Sequence, residues 1–390
     1  MRFALLAFFG VALSLSSPVV VRAAACPAPA NASIVQVPGL PFGMAVTPDG
    51  CWMFVSMWTG KQTGALAVLH NSAGTFSVAR VVPLSDGGAG ETLTHDGKLL
   101  IVTAWNAGIA AYSADELELP SGDPLLGTLP NGYRAGAVYA ITSLDDKLLF
   151  VSDENDRQLS VYDLAKWRES GFKGNPWIGY VPTGISPVGL ALSPNGKWLH
   201  STSEAASPRM GFSRACRPET QRARWHAHGV LLRIDIEEAA KDPRNSVSGG
   251  LQVDCNLVRV AVSPDGDYLW VSARGSNSVL RIAASGLAGR GSMNVASFDV
   301  GGGPVGIAVR PDGKQVWIAL ANRFADTKYN PAGREVVGLL GTGGATTKNI
   351  TAVSEPASAF PRELVFLRDG RTFAVGLFDA KRIEFFTTPP

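Results

Sequence analysis

The chain carries no surplus of charge of either sign: 35 Lys and Arg stand against 33 Asp and Glu, a net of +2. Without a basic field nothing draws in nucleic acid or an anionic membrane, and nucleic-acid binding drops out first. Charged residues make up only 17%, yet a hydrophobic content of 46% is too high for a disordered chain. Cysteines are few, four in 390 residues, and none forms Cys-x-x-Cys or the haem-attachment Cys-x-x-Cys-His. No Gly-x-Ser-x-Gly elbow and no phosphate-cradling Gly-x-x-x-x-Gly-Lys-Ser/Thr occurs. Serine-hydrolase, nucleotide-hydrolase and c-type cytochrome readings lose their support. Beyond the first 25 residues no apolar run is long enough to cross a bilayer.

Those first residues stand apart. Arg2 precedes an apolar stretch from Phe3 to Val21, followed by Arg22 and the small residues Ala23, Ala24 and Ala25. This order predicts a secretory signal peptide over residues 1–25, with a membrane anchor or a lipid-modified Cys26 as alternatives. The mature chain, 26–390, is then expected outside the cell or in a periplasm, as a monomer without stable membrane insertion.

Glycine and proline are abundant, 43 and 25, which argues against a helical bundle. One phrase recurs: a small residue, an apolar run, a Pro-Asp-Gly-type turn, and a second apolar run. It reads GMAVTPDGCWMFVS from Gly43, GETLTHDGKLLIVT from Gly90, YAITSLDDKLLFVS from Tyr139 and GLALSPNGKWLHST from Gly189. It returns as RVAVSPDGDYLWVS from Arg259, GIAVRPDGKQVWIA from Gly306 and ELVFLRDGRTFAVG from Glu363. The turn residues Asp49, Asp96, Asp145, Asn195, Asp265, Asp312 and Asp369 are spaced by 47, 49, 50, 70, 47 and 57. A period near 47 suits one four-stranded propeller blade. Pro sets φ, the acid caps the turn and Gly takes φ > 0, while the flanks are rich in strand formers.

Seven copies predict an all-β, seven-bladed β-propeller forming one domain over 26–390. The last copy runs out after its third strand, Arg382 to Phe386. Ser33 to Val37 is expected to supply the missing outer strand and close the ring.

VSDENDRQLSVYDL from Val151 and VSARGSNSVLRI from Val271 resemble the Tyr-Val-Thr-Asn (YVTN) repeat, and the chain is similar to the lactonase-like seven-bladed propellers. That resemblance implies the fold and leaves the activity open, because the motif residues build blades. Gluconolactonase-like relatives imply a catalytic divalent metal held by Glu, Asn and Asp at one face.

Four cysteines in an exported protein suggest two disulfides. In a propeller the inner hairpin turns lie on one face, the bottom, and the loops joining second to third strands lie on the top. Cys26 and Cys51 belong to the bottom, Cys216 and Cys255 to the top, so Cys26–Cys51 and Cys216–Cys255 are expected. Asn31 and Asn349 head glycosylation sequons usable only in a eukaryotic host.

The top mouth is where chemistry is expected. Two positions past each second strand stand Trp58, Trp105, Glu154, Glu204, Arg274, Ala321 and Phe378. Trp58, Trp105 and Phe378 form an aromatic arc facing Glu154, Glu204 and Arg274, the form of a small-molecule pocket. Solvated loops and core-capping tryptophans are the bland alternative. Glu154 and Glu204 are candidates for an acid–base pair, or with Asn106 and Asn155 for holding Ca²⁺. On the inner strands Arg259 and Glu363 replace the usual small residue, with Arg362 adjacent; a structural ion pair and a ligand-binding pair are both open. An insertion from Glu204 to His228 carries Arg209, Arg214, Arg217, Arg222 and Arg224, then Trp225, His226 and His228. It reads as a lid for an anionic ligand, or as a solvated basic loop. A second insertion, Asn322 to Gly333, adds Arg323, Asp326, Lys328 and Tyr329. Two functional classes remain open. One is a binding propeller recognising a small anionic or sugar-like ligand, or a partner protein, through its top face. The other is a metal-assisted lactone hydrolase in which Glu154 and Glu204 position the metal and Arg259 or Arg274 stabilises the oxyanion.

Overall fold

The computed structural model describes residues 25–390 apart from 133, 212–214, 217–225, 289–292, 322–334, 343–350 and 357–359. The leader expected over 1–25 thus lies, but for Ala25, outside the described residues, as does Asn349.

The chain folds into seven antiparallel four-stranded sheets, a β-propeller. The innermost strands are Leu40–Val46, Glu91–Leu93, Ala137–Thr142, Ile185–Leu192, Leu257–Val262, Pro304–Val309 and Pro361–Phe366. Each touches the innermost strands of both neighbouring blades, so all seven line one axis. In the last blade the order is Pro361–Phe366, Thr372–Leu377, Arg382–Thr387 and then Ile34–Gln36, from the other end of the chain. Val35 faces Ile383 in that pairing, and both side chains are buried with Phe385 and Met53.

Every blade starts from the same local chemistry. In all seven inner hairpins the turn carboxylate or amide accepts the backbone N–H two residues on, from Asp49 with Cys51 to Asp369 with Arg371. Six turns place glycine next at positive φ. Blade three has Asp146 there instead, at φ 54°. Its carboxylate accepts from the His95 and Asp96 amides of the neighbouring turn, which ties two blades together at the bottom face.

Hydroxyls at the far end of the second strands fix the axis. Thr103 donates to the Val138 carbonyl at 2.8 Å, Thr202 to that of Val258 at 2.9 Å, and Ser272 to that of Val305 at 2.9 Å. Ser56 does the same to Ala89. Each bond reaches the next blade's innermost strand where that strand meets the mouth. Cys26 is bonded to Cys51 and Cys216 to Cys255, the pairs that the topology puts on one face. Arg209 is exposed. The other insertion arginines, Arg214, Arg217, Arg222 and Arg224, lie outside the described residues with Trp225, and so does the second insertion from 322.

Candidate binding cavity

Six of the seven innermost strands carry a register shift at the same place, just inside the mouth. A β-bulge re-aims the side chain beside it. The residues so placed, Phe42, Val138, Val188, Val258, Val305 and Arg362, turn toward the axis and line a cavity of about 390 Å³. Five are apolar and the sixth is an arginine. Around this floor stand Trp58, Trp105, Glu154, Glu204, Arg274 and Phe378, with Phe360 completing the wall. Residues as far apart in sequence as Phe42 and Phe378 therefore share one recess.

Each wall side chain has a local reason for its position. The Trp58 ring lies flat against the backbone of Gly87, where a Cβ would fall 2.6 Å from the indole. Trp105 sits at φ 45°, a costly conformation for an aromatic residue. Its carbonyl accepts from the Ala137 amide at 3.0 Å, which holds it there. The two indoles meet edge to face, centroids 6.2 Å apart at 69°. Across the recess Arg274 Nη2 donates to Glu204 Oε1 at 2.7 Å.

Arg362 is the residue that sequence reasoning noted only as a neighbour of Glu363. Its guanidinium stacks on Phe42, 3.6 Å from the ring centroid, with Phe360 and Phe378 further out at 5.8 and 5.7 Å. Stacking uses the face of the guanidinium and leaves its N–H edges to the cavity. Among the described residues those edges meet no acceptor, and Nε is fully enclosed. Burial brings the group down to about 10, so it is charged at neutral pH. Glu154, on the opposite side, also has no hydrogen bond or ion pair through its carboxylate among the described residues. Burial, and then the charge of Glu204, push its carboxyl above the ordinary range.

The other expected participants sit elsewhere. Arg259 and Glu363 form an ion pair of 2.9 Å, and Arg259 stacks on Tyr139 at 3.5 Å. Neither lines the cavity; Val258, one residue before Arg259, does. Arg259 therefore lacks the position of an oxyanion-stabilising group. Asn106 and Asn155 do not line the recess, and the Asn155 amide donates to the Arg134 carbonyl at 2.8 Å. A divalent cation does not fit what remains. Two carboxylates share the space with two guanidinium groups, and Glu204 is committed to Arg274. Among the described residues no cluster of three His, Cys, Asp or Glu could hold a metal. His226 pairs through its backbone with Cys216, in a two-residue strand of the insertion.

Beside the axis Glu91 buries both carboxylate oxygens without a hydrogen-bond partner. Burial raises it from 4.5 to about 8, against the pull of the nearby Ser56 hydroxyl and amides. The folded state therefore holds a proton that the unfolded chain releases, and Glu91 costs stability as pH climbs from 4.5 toward 8. Glu91→Gln is expected to raise the thermal midpoint at pH 7.5 by about 2 to 4 °C, a gain that shrinks to nothing as pH falls below the unfolded value of 4.5. Unfolding scans across that pH range check it; a gain independent of pH would place the carboxylate in water.

No protein-family model and no curated protein sequence matches the chain. Solved structures similar to it include Kuenenia stuttgartiensis hydrazine synthase, at 16% identity and a TM-score of 0.65 over 90% of this chain and 96% of that one. A Myceliophteria thermophila Cps50 (Swd1) β-propeller domain matches at 10% identity and TM-score 0.62, covering 90% and 97%. A chain of a mitotic checkpoint complex matches at 15% identity and TM-score 0.66, covering 98% and 100%. Likeness at this identity speaks for the fold alone.

Proposed function

We propose that this propeller, exported as its leader and cysteines suggest, is a binding protein of the YVTN, lactonase-like type. Its mouth captures a small ligand through a carboxylate group. One observation carries the reading: Arg362 presents unpaired N–H edges to an enclosed, aromatic-walled recess. A buried donor without an acceptor is costly, and a planar bidentate anion removes that cost. The recess is at the lower end of small-molecule cavities, too narrow for a protein surface and suited to a metabolite-sized guest. Two disulfides agree with an oxidising compartment. The lactone-hydrolase alternative keeps Glu154, Glu204 and Arg274 at the recess, while Arg259, Asn106 and Asn155 do not line it.

Calorimetric titration with benzoate and D-glucuronate, against benzamide and D-glucose, tests the reading. The carboxylates are expected to bind and their neutral counterparts to bind at least about tenfold more weakly. Arg362→Gln is expected to cost about tenfold or more, with Arg362→Lys between it and the parent. Equal binding of acids and neutral mates, or an unaffected Arg362→Gln, overturns the proposal. Acid release from a lactone panel, lost in Glu154→Gln, would make the protein a hydrolase instead.

A further inference from the structure

The charges around the mouth have an order that a simple anion does not satisfy. Taken by blade, the recess presents Arg362 from the seventh, Trp58 from the first, Trp105 from the second, Glu154 from the third, and the Glu204–Arg274 pair from the fourth and fifth. The last two neutralise each other. What remains is one cation and one carboxyl on opposite sides, with two indoles on the arc between them. A carboxylate seated on Arg362 alone would leave Glu154 in the same enclosed space, unpaired and of like charge. A guest with a positive end removes both faults.

We propose that the ligand is a zwitterion, its carboxylate on the Arg362 edge and its ammonium between the Trp105 ring and the Glu154 carboxylate. This rests on the carboxylate reading of the cavity and narrows it to amino-acid-like compounds. Three features of the wall support the cationic subsite. Two indoles meeting at 69° offer ring faces to a cation in a corner, the arrangement that cation–π attraction favours. Glu154 is the adjacent acceptor and has no other partner among the described residues. Trp105 is held at positive φ by its backbone bond to Ala137, which fixes the ring at the recess wall.

The test uses matched probes that differ only in the ammonium group: L-phenylalanine with 3-phenylpropanoate, γ-aminobutyrate with butyrate, and 6-aminohexanoate with hexanoate. At least one zwitterion is expected to bind about tenfold tighter than its mate, the scale of a desolvated ammonium meeting a carboxylate and a ring face. Glu154→Gln is expected to weaken that zwitterion and to strengthen its mate, because the like charge is gone. Arg362→Gln is expected to weaken both. A readout that needs no variant is pH. The ratio of the two affinities, each corrected for ionisation of the probe's own carboxyl, is expected to rise with pH as Glu154 ionises, facing Glu204, Arg274 and Arg362. Carboxylates that bind through Arg362 as tightly as every zwitterion, indifferent to Glu154→Gln and to pH, overturn the zwitterion and leave the carboxylate reading standing. Binding by no probe of either kind overturns both.

Discussion

Replacing Glu363 by alanine is expected to cost about 3 to 5 kcal/mol of folding stability, more than any other single side-chain change discussed for this protein. Its partner Arg259 keeps only 8% of its side chain exposed, and Glu363 itself 20%. Burial pulls Arg259 down to about 10 even with Glu363 beside it, so removing Glu363 takes away the carboxylate that holds the charge on this buried guanidinium. Nη1 already lacks an acceptor, so the orphaned guanidinium would keep only the Tyr139 ring face. Replacing both partners by apolar residues of similar bulk, Arg259→Met with Glu363→Leu, is expected to recover part of the loss, because the Arg259 charge goes with its partner while the buried Arg362, which Glu363 also stabilises, stays. Denaturant unfolding at pH 7 measures both. A single-variant loss below about 1 kcal/mol would mean that the pair is solvated and that water reaches the axis.

Cys51→Ser is expected to cost about 3 kcal/mol, the scale of a disulfide closing a loop of 25 residues. The effect should be visible as a lower unfolding midpoint and should vanish when parent and variant are compared under reductant. Cys26, the partner of Cys51, precedes in the chain an outer strand of only three residues, Ile34–Gln36. Around that strand Ala32 donates to the Phe385 carbonyl at 2.7 Å and Val37 to that of Lys381 at 2.9 Å. Asn71 adds a bond to the Pro27 carbonyl at 2.8 Å. So few bonds make a weak edge, and the disulfide anchors it from blade one. If the variant loses nothing, those bonds and the burial of Val35 and Val37 hold the edge by themselves.

The blades were legible because each is announced by a turn whose chemistry is local: an acid that accepts the second amide on and a glycine at positive φ. Counting two residues past each second strand reached Trp58, Trp105, Glu154, Glu204, Arg274 and Phe378, which the structure gathers into one recess. The floor was not legible. Phe42, Val138 and Arg362 face the axis because a bulge rotates the inner strand there, and a bulge leaves no mark in an apolar run. Arg362 consequently looked like a bystander to Glu363. Which acid belongs to which arginine was equally hidden, since Glu204 with Arg274 and Glu363 with Arg259 are contacts between blades at separations of 70 and 104. Asn106 and Asn155 follow the right strands, but loop geometry decides where an amide side chain points, and neither lines the recess.

The seventh blade joins Ile34 to Glu384, so its last strand is contributed by one of the earliest parts of the sequence. A ribosome adds residues in order, and six blades can stack as they emerge while the seventh cannot. Until Arg382–Thr387 is made, the early strand has no partner and the hydrophobic flank of blade one stays open. Ring completion is therefore a late, all-or-nothing event that joins two distant ends of the polymer. A chain halted before this point would be a crescent with two adhesive edges, the form most prone to join another copy. The same geometry makes the junction a place to join: linking the two ends and opening a bottom turn elsewhere should yield a permuted ring with the same mouth.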